Sequence, residues 1–278
     1  MPRNIGMGLS RGEYLMFVDS DDAITKTALE ELYTLAKKFD ADVVACDNYY
    51  FVDENFKTNS VANIKPVSHV NDKKIRTTQT FLVEDLESRL MYFGEVRIMW
   101  NAWNKLIRRD LLMEYEITML DVVAEDVMFT CCLLCVAKKY LCVPNTVYFY
   151  RELPQSIVHK PMTMAANLQR WIRSSAEGIN FIDKFMENLH LDIKLKYIAF
   201  EAMLREFMRT VLPSYNLLPP PVFDEFVRAE LEKIDNPRVF TAFLFSRMNV
   251  FNLRILRQQQ QIQQLQSELR KLKLDTGA

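Results

Sequence analysis

The sequence predicts an α/β domain followed by a helical C-terminal region. An apolar strand at Tyr14 to Val18 precedes a helical pattern at residues 27–39, and a second strand follows at 41–51. Strand, helix and strand in this order are typical of a βαβ unit in an α/β sheet. Beyond His159 the strand patterns stop, and amphipathic helical patterns take their place. A chain of 278 residues with 49% hydrophobic composition is long enough to bury such a core.

These patterns divide the chain into an α/β region at residues 1–160, a helical subdomain at 161–248 and a terminal helix at 249–278. Within the first region, Thr27 and Glu30 have the spacing of a capping box at a helix start. Its further predicted elements are a short helix that ends at Gly12, a loop or irregular hairpin at 53–77, helices at 80–93 and from 125 onward, and a strand at 147–150.

The terminal helix carries a heptad pattern of about three repeats. Between Arg254 and Leu274 it has five basic residues and one acidic residue. We therefore expect a coiled coil that forms homo-oligomers; a basic amphipathic helix on an anionic membrane and a plain solvated helix are the alternatives. The apolar seam consists of Phe251, Ile255, Gln258, Ile262, Leu265, Leu269 and Leu272.

Charge and cysteine content narrow the function classes. Lys and Arg number 35 against 36 Asp and Glu, so no global charge attracts the chain to nucleic acid. The five cysteines lie mostly in apolar runs with no secretory signal before them, which predicts the cytoplasm, with peripheral contact at the inner membrane face as an extension. We interpret Cys131, Cys132 and Cys135 as core residues rather than metal ligands. The longest apolar run, Val127 to Ala137, is too short to span a bilayer.

Three aspartates follow the first strand. Asp19, Asp21 and Asp22 stand within four residues, and like charges this close raise one another's pKa unless a cation lies between them. Oxygen ligands on a short turn suit Mg²⁺ or Mn²⁺, which often bridge to phosphate oxygens. The alternative is a solvated acidic turn in which Asp22 favours the start of the next helix.

Four separated motifs give this turn a context. They are Arg-Asn before the first helix, Gly-Glu-Tyr before the strand, Asp-x-Asp-Asp at its end, and Glu-Asp opening a later helix, with "WNKLIRRDLL" between. In this order they resemble the inverting family 2 glycosyltransferases of GT-A fold, over residues 2–160. The resemblance implies a Rossmann-like α/β domain that transfers a sugar from a nucleotide diphosphate, a UDP-sugar above all, to a saccharide or lipid-linked acceptor.

The resemblance also implies roles for residues on the donor side. Asp19 matches the aspartate near the ribose and donor sugar, and Asp21 matches the ligand of the metal on the diphosphate. Arg3 matches an arginine that approaches the donor, although an exposed terminal arginine is an equal alternative. His159, after the last strand, is the candidate for a second metal ligand. The implied cofactor is Mn²⁺ or Mg²⁺.

On the acceptor side, Asp126 matches the general base of the Glu-Asp motif. Glu125 beside it could raise its proton affinity, while an ordinary helix N-cap is the alternative for Asp126. Trp103 and Lys105 belong to the "WNKL" motif, which the resemblance places beside the acceptor. Trp103 either stacks on a sugar face or is a buried structural residue.

The resemblance is incomplete at the front, because no strand that would hold the nucleotide base precedes Pro2. We therefore expect an incomplete GT-A domain, and activity of this chain alone is not expected. The main hypothesis is metal-dependent inverting sugar transfer in surface polysaccharide or glycan synthesis. The alternative is a catalytically silent remnant that acts as an assembly module. A third interpretation, a phosphatase of the haloacid dehalogenase kind, lacks the downstream motifs that such enzymes need.

Overall fold

The computed structural model describes residues 2–53, 66–68, 79–95, 97–152 and 164–217, together with residues 225, 229, 232, 262 and 263. The predicted α/β region followed by helices is confirmed. In chain order the elements are α1 (Pro2–Leu9), β1 (Tyr14–Met16), β2 (Ala23–Ile24), α2 (Ala28–Phe39), β3 (Val43–Val52), β4 (Pro66–Ser68), β5 (Phe81–Val83), α3 (Leu86–Gly94), β6 (Lys105–Arg108), α4 (Arg109–Glu114), α5 (Glu125–Val136), β7 (Tyr140–Arg151), α6 (Met164–Asn188) and α7 (Ile193–Leu217).

The strands form one mixed sheet in the order β1-β6-β3-β7-β2, with β4 on β3 and β5 on β7. Strands β3 and β7 are parallel, and the other pairs are antiparallel. The predicted order of strand, helix and strand for β1, α2 and β3 is confirmed, but the two strands are not neighbours. Strand β6 lies between β1 and β3, and its Ile107 is opposite Leu15 on one side and Val43 on the other. The two strands run in the same direction without pairing.

The boundaries of one predicted helix and one predicted strand are wrong, because the two segments pair with each other across the chain. Residues Phe81–Val83 are a strand instead of the start of a helix, because they pair with the first residues of β7. For the same reason β7 begins at Tyr140, seven residues before the predicted strand at 147–150. Helix α3 then begins after Asp85, whose carboxylate accepts a 2.7 Å hydrogen bond from the Ser88 amide.

The capping box predicted for α2 does not form. Thr27 occupies the N-cap position, but its hydroxyl donates to the Glu31 carboxylate, so it leaves the backbone amides uncapped. The helix is confirmed, but its apolar pattern holds only in part: Leu32 and Ala36 are buried and Phe39 is half-buried, whereas Leu29 is 53% exposed.

The largest part of the core lies between the sheet and helices α5, α6 and α7. Helix α5 is buried on all sides after its first residue, which explains why its sequence is apolar without a polar face. The interpretation of the cysteines as core residues is confirmed, since all five are buried and unpaired. Two aliphatic residues of α6, Ile179 and Ile182, are fully buried in the same cluster.

Some predictions fall outside the described residues. Of the heptad seam only Ile262 is described; it is helical and 54% exposed, and the coiled coil stays a prediction. In the polar stretch at 53–77, Pro66–Ser68 pairs with β3 and nearly all the rest lies outside the described ranges. His159 also lies outside them. Among the described helices, none has the length and apolar character that a membrane span requires.

Candidate active site

One arginine joins the predicted site residues. From the first turn of α1, the Arg3 guanidinium donates to Asp19 at 2.5 Å, to Glu125 at 2.9 Å and to Asp126 at 3.0 Å. The Arg3 side chain is only 24% exposed, so it is not the exposed terminal arginine of the alternative interpretation. The pKa of Arg3 is raised, because the three carboxylates together outweigh the opposing effect of burial. The turn after β1 and the start of α5 therefore meet at one cation.

A residue that the sequence analysis passed over positions this arginine. The Asn4 side chain donates to the Met119 carbonyl and accepts from the Met119 amide, both at 2.9 Å. This two-way bond fixes α1 to the segment just before α5, and Met7 anchors the helix in the core. The signal for Asn4 was present in the Arg-Asn motif, in which only the arginine had been given a role.

Asp126 is a buried carboxylate inside the first turn of α5. Its Oδ1 accepts from Arg3, and its Oδ2 accepts a 3.1 Å hydrogen bond from the Ala102 amide. The N-cap is Ala124, so the interpretation of Asp126 as a helix cap is wrong. Burial raises the pKa of Asp126 against the opposing charge of Arg3. The pKa of Glu125 is also raised, first by burial and then by the charge of Asp126.

The three aspartates after β1 have separate surroundings. Asp22 accepts from the Tyr148 hydroxyl at 2.7 Å and from the Arg151 amide at 2.8 Å, which fastens the turn to β7. Burial raises the pKa of Asp22, although both hydrogen bonds oppose the shift. The Asp19 amide donates to the same tyrosine oxygen, and its carboxylate binds Arg3. Asp21 is exposed to solvent.

The donor set suits a hard divalent cation that brings other ligands with it. Within the described residues, no group of three or more His, Cys, Asp or Glu side chains could enclose a metal. The exposed carboxylate of Asp21 nevertheless fits Mg²⁺ or Mn²⁺, since such ions are held by one or two carboxylates together with phosphate oxygens and water. The second predicted ligand, His159, lies outside the described residues.

Trp103 lies beneath the acidic turn and not on its surface. It is 3% exposed, and its ring stacks on Tyr148 with 4.3 Å between centroids. Tyr49 meets the indole edge to face at 5.3 Å. This packing favours the buried structural alternative for Trp103, because Tyr148 is also the residue that holds Asp22 and the Asp19 amide. The indole therefore supports the turn after β1 indirectly, through Tyr148.

Lys105 is the most unusual residue of the region, because its side chain is fully buried. The ammonium donates to the Met99 carbonyl at 2.7 Å, the Asn101 carbonyl at 2.5 Å and the Asn104 side-chain oxygen at 2.8 Å. Burial lowers the pKa of Lys105 to about 8, although Asp126 and Asp47 favour the cation. Its position on the acceptor side stays a prediction, and the lysine directly follows the segment that contacts Asp126.

Comparisons with known proteins match this chain to glycosyltransferases. Residues 2–113 match the sequence model of the family described as glycosyl transferase family 2. A cholesterol galactosyltransferase of Borreliella burgdorferi is 29% identical over 210 residues, which are 70% of this chain and 56% of that protein. The glycosyltransferase GlyG of Streptococcus pneumoniae is 27% identical over 75% of this chain and 65% of its own length. The chain thus spans between half and two thirds of the length of these curated relatives.

The fold has solved counterparts. The crystal structure of S. aureus TarS 1–349 in complex with UDP-GlcNAc has a TM-score of 0.56 and covers 86% of this chain and 62% of the other, at 19% identity. A second crystal structure of S. aureus TarS 1–349 has the same TM-score and covers 83% of this chain and 57% of the other. At this identity the likeness establishes the fold, and the predicted GT-A class is confirmed.

Proposed function

We propose that this relative of the family 2 glycosyltransferases takes part in metal-dependent, inverting transfer of a sugar from a nucleotide diphosphate to a saccharide or lipid-linked acceptor. A UDP-sugar is the donor we favour, since the fold resembles that of TarS, which binds UDP-GlcNAc. Synthesis of surface polysaccharide or glycan is the corresponding process.

The observation that carries this proposal is the contact of one guanidinium with both halves of the predicted site. Arg3 is 2.5 Å from Asp19, on the predicted donor side, and 3.0 Å from Asp126, the predicted base. A direct displacement needs the donor and the acceptor hydroxyl within reach of each other. Residues from the turn after β1 and from α5 therefore lie where one transfer reaction can use both.

Asp126 has the chemistry of a general base. Burial raises its pKa, so its carboxylate binds a proton more readily than an exposed aspartate does. In the transfer step Asp126 accepts the proton of the acceptor hydroxyl while that oxygen forms a bond to the anomeric carbon. The bond from that carbon to the diphosphate oxygen breaks at the same time, which inverts the anomeric centre.

Asp21 is the residue that would hold the divalent cation. The cation, when bound, supplies positive charge to the diphosphate that leaves. The Arg3 side chain contacts three carboxylates and is still 24% exposed. Its planar guanidinium can therefore also bind phosphate oxygens of a donor. Binding of the donor by Arg3 would also release one oxygen of Asp126 for the acceptor.

Calorimetric titration with UDP and UDP-sugars, with and without Mn²⁺, tests the donor side. We expect metal-dependent binding that is lost in Asp21→Ala and kept in the control Asp110→Ala, whose carboxylate is 89% exposed on α4. Binding that is equal with and without Mn²⁺ would contradict the assigned metal role. No binding by a folded chain would favour the silent assembly module.

Transfer assays test the acceptor side, on this chain where it is active and otherwise on a longer protein that also supplies the nucleotide-binding strands. Asp126→Asn should nearly abolish transfer while donor affinity stays within about twofold, because an amide cannot accept the proton. The matched control is Asp121→Asn, an exposed carboxylate in the segment just before α5. Parallel loss of donor binding and transfer in Asp126→Asn would contradict its role as the base.

A further inference from the structure

We propose that Lys105 is a positioning residue for Asp126: its buried ammonium shapes the segment 99–104 so that the Ala102 amide holds the aspartate carboxylate. The proposal rests on the proposed function in one respect, namely that Asp126 is the base. It assigns Lys105 a task inside the protein, behind the base, instead of contact with the acceptor.

The ammonium is the centre around which this segment folds. Its three donors meet three oxygens, those of Met99, Asn101 and Asn104, at 2.5 to 2.8 Å. Two of these oxygens are backbone carbonyls in a stretch without regular secondary structure, which supplies no strand or helix partners to them. A neutral apolar side chain at position 105 would leave them buried without a donor, which is costly.

The segment is fixed at both ends, so its middle has little freedom. Near its start, the Trp100 carbonyl accepts a 2.7 Å hydrogen bond from the Thr130 hydroxyl of α5. At its end, Asn104 exchanges two hydrogen bonds with Cys46 of β3, at 2.7 and 2.9 Å. Between these points the Ala102 amide donates to Asp126 Oδ2. Lys105 therefore acts on the base through one defined donor.

Four charged groups on four different elements act on Asp126. Arg3 lies on α1, Asp19 on the turn after β1, Glu125 on α5 and Lys105 on β6. Arg3 is the cation that a diphosphate can draw away from Asp126. Lys105 is enclosed by protein and cannot follow, so it is the positive charge that stays beside the base throughout the reaction. Loss of Lys105 would remove both this charge and the orientation of Oδ2.

The test is Lys105→Met, a substitution of similar length without charge or donors. We expect kcat for transfer to fall by about 100-fold, with the donor KM unchanged, because misplacement of the base affects the chemical step. In ¹³C NMR of labelled aspartate, assigned with Asp126→Asn, the pKa of Asp126 should rise. Hydrogen exchange at the Ala102 amide should become faster.

The matched control is Lys196→Met. Lys196 is also a buried lysine, paired at 3.3 Å with Asp183 of α6, and its loss should lower stability without changing the Ala102 amide or the pKa of Asp126. If both variants change these two properties alike, or if Lys105→Met changes neither, the positioning role is wrong. The NMR readouts do not depend on transfer, so they judge Lys105 even if Asp126→Asn retains activity and the proposed function fails.

A measurement on the unmodified chain covers the case in which Lys105→Met does not fold. The pKa of Lys105 is about 8, so its deprotonation lies within the range of ordinary buffers. The ¹⁵N shift of the Ala102 amide should then change with the same midpoint as the ¹³Cε shift of Lys105 itself, and the Lys196→Met variant should show the same agreement. A Lys105 side chain that titrates while the Ala102 amide shift stays constant would overturn the proposal.

Discussion

The turn after β1 and the first turn of α5 both carry adjacent carboxylates, but the two regions differ in how far these carboxylates are buried and what they bind. In the turn after β1, Asp22 is bound by β7 while Asp21 is exposed to solvent. At the start of α5, Asp126 is buried and bound on both of its oxygens. The comparison teaches that the surroundings of a carboxylate, more than its place in an acidic motif, decide whether it can hold a cation, brace the fold or accept a proton.

Arg3 connects the two regions and supplies the charge that lets them approach. Three carboxylates near one guanidinium leave an excess of negative charge, and the raised pKa values of Glu125 and Asp126 are in keeping with that excess as well as with burial. A further positive charge, from a metal or from a donor-bound cation, would be favourable there. The site is therefore suited to a ligand that arrives with its own cation.

The largest expected effect is that of Arg3→Ala, which removes the connection. We expect a loss of about 3 kcal/mol in the free energy of unfolding at pH 7, because three ion pairs with partly buried carboxylates disappear together. Urea denaturation measures it. Arg3→Lys should be intermediate, since a single ammonium cannot fork between the two regions.

The loss caused by Arg3→Ala should depend on pH in a defined direction. Arg3 opposes the raised pKa of Glu125 and of Asp126, so both pKa values rise further without it. Carboxyls with folded pKa values above the unfolded ones destabilise the fold as the pH rises through those values. The deficit should therefore be largest above the folded pKa values, which lie above the ordinary carboxyl values of about 4, and should shrink as the pH falls through them. A deficit that grows on acidification would contradict this account of the site.

The next effect separates Asp22 from Asp21 inside one turn. Asp22→Ala leaves the Tyr148 hydroxyl and the Arg151 amide without their acceptor, and we expect a loss of about 2 kcal/mol in the free energy of unfolding. Asp21→Ala should leave the Tm unchanged while it removes metal-dependent donor binding. Thermal unfolding and calorimetry of the pair distinguish the two roles. Equal changes in Tm would show that the turn acts as one unit.

Sequence reasoning could select the residues of the candidate site but could not assign separate surroundings to them. Local motifs were enough to predict that Arg3, Asp19 and Asp126 belong together, and the structure brings them into contact. The distinction between Asp21 and Asp22 depends on Tyr148, 126 residues after Asp22. Since Asp21 and Asp22 are the same residue type, the sequence does not indicate which of them binds a residue so far along the chain. The buried task of Lys105 was equally hidden, since its partners are mostly backbone carbonyls.

The fold shows the same limit. Amphipathic and apolar patterns predicted the helices and most strands, because each pattern reflects burial along one element. Pairing between strands is a property of distant segments, so the insertion of β6 between β1 and β3 was not predicted. It matters for the candidate site, because β6 brings Lys105 and the segment 99–104 against Asp126.

The smallest predicted effect concerns the stability of Asp126→Asn. Burial raises the pKa of Asp126, which means that the fold disfavours its charge at neutral pH. The amide removes that charge, and its oxygen can still accept from Ala102 or from Arg3, so we expect a gain of about 0.5 kcal/mol in the free energy of unfolding at pH 7. Below the ordinary carboxyl pKa the wild-type side chain is neutral in both states, and the gain should vanish. Asp121→Asn, at an exposed position, should show no gain at either pH.

A variant that loses transfer and is also less stable at pH 7 than at pH 4, relative to the unmodified chain, would mean that the Arg3 and Ala102 contacts require a charged partner. In that case Asp126 would have to be counted among the residues that brace the fold.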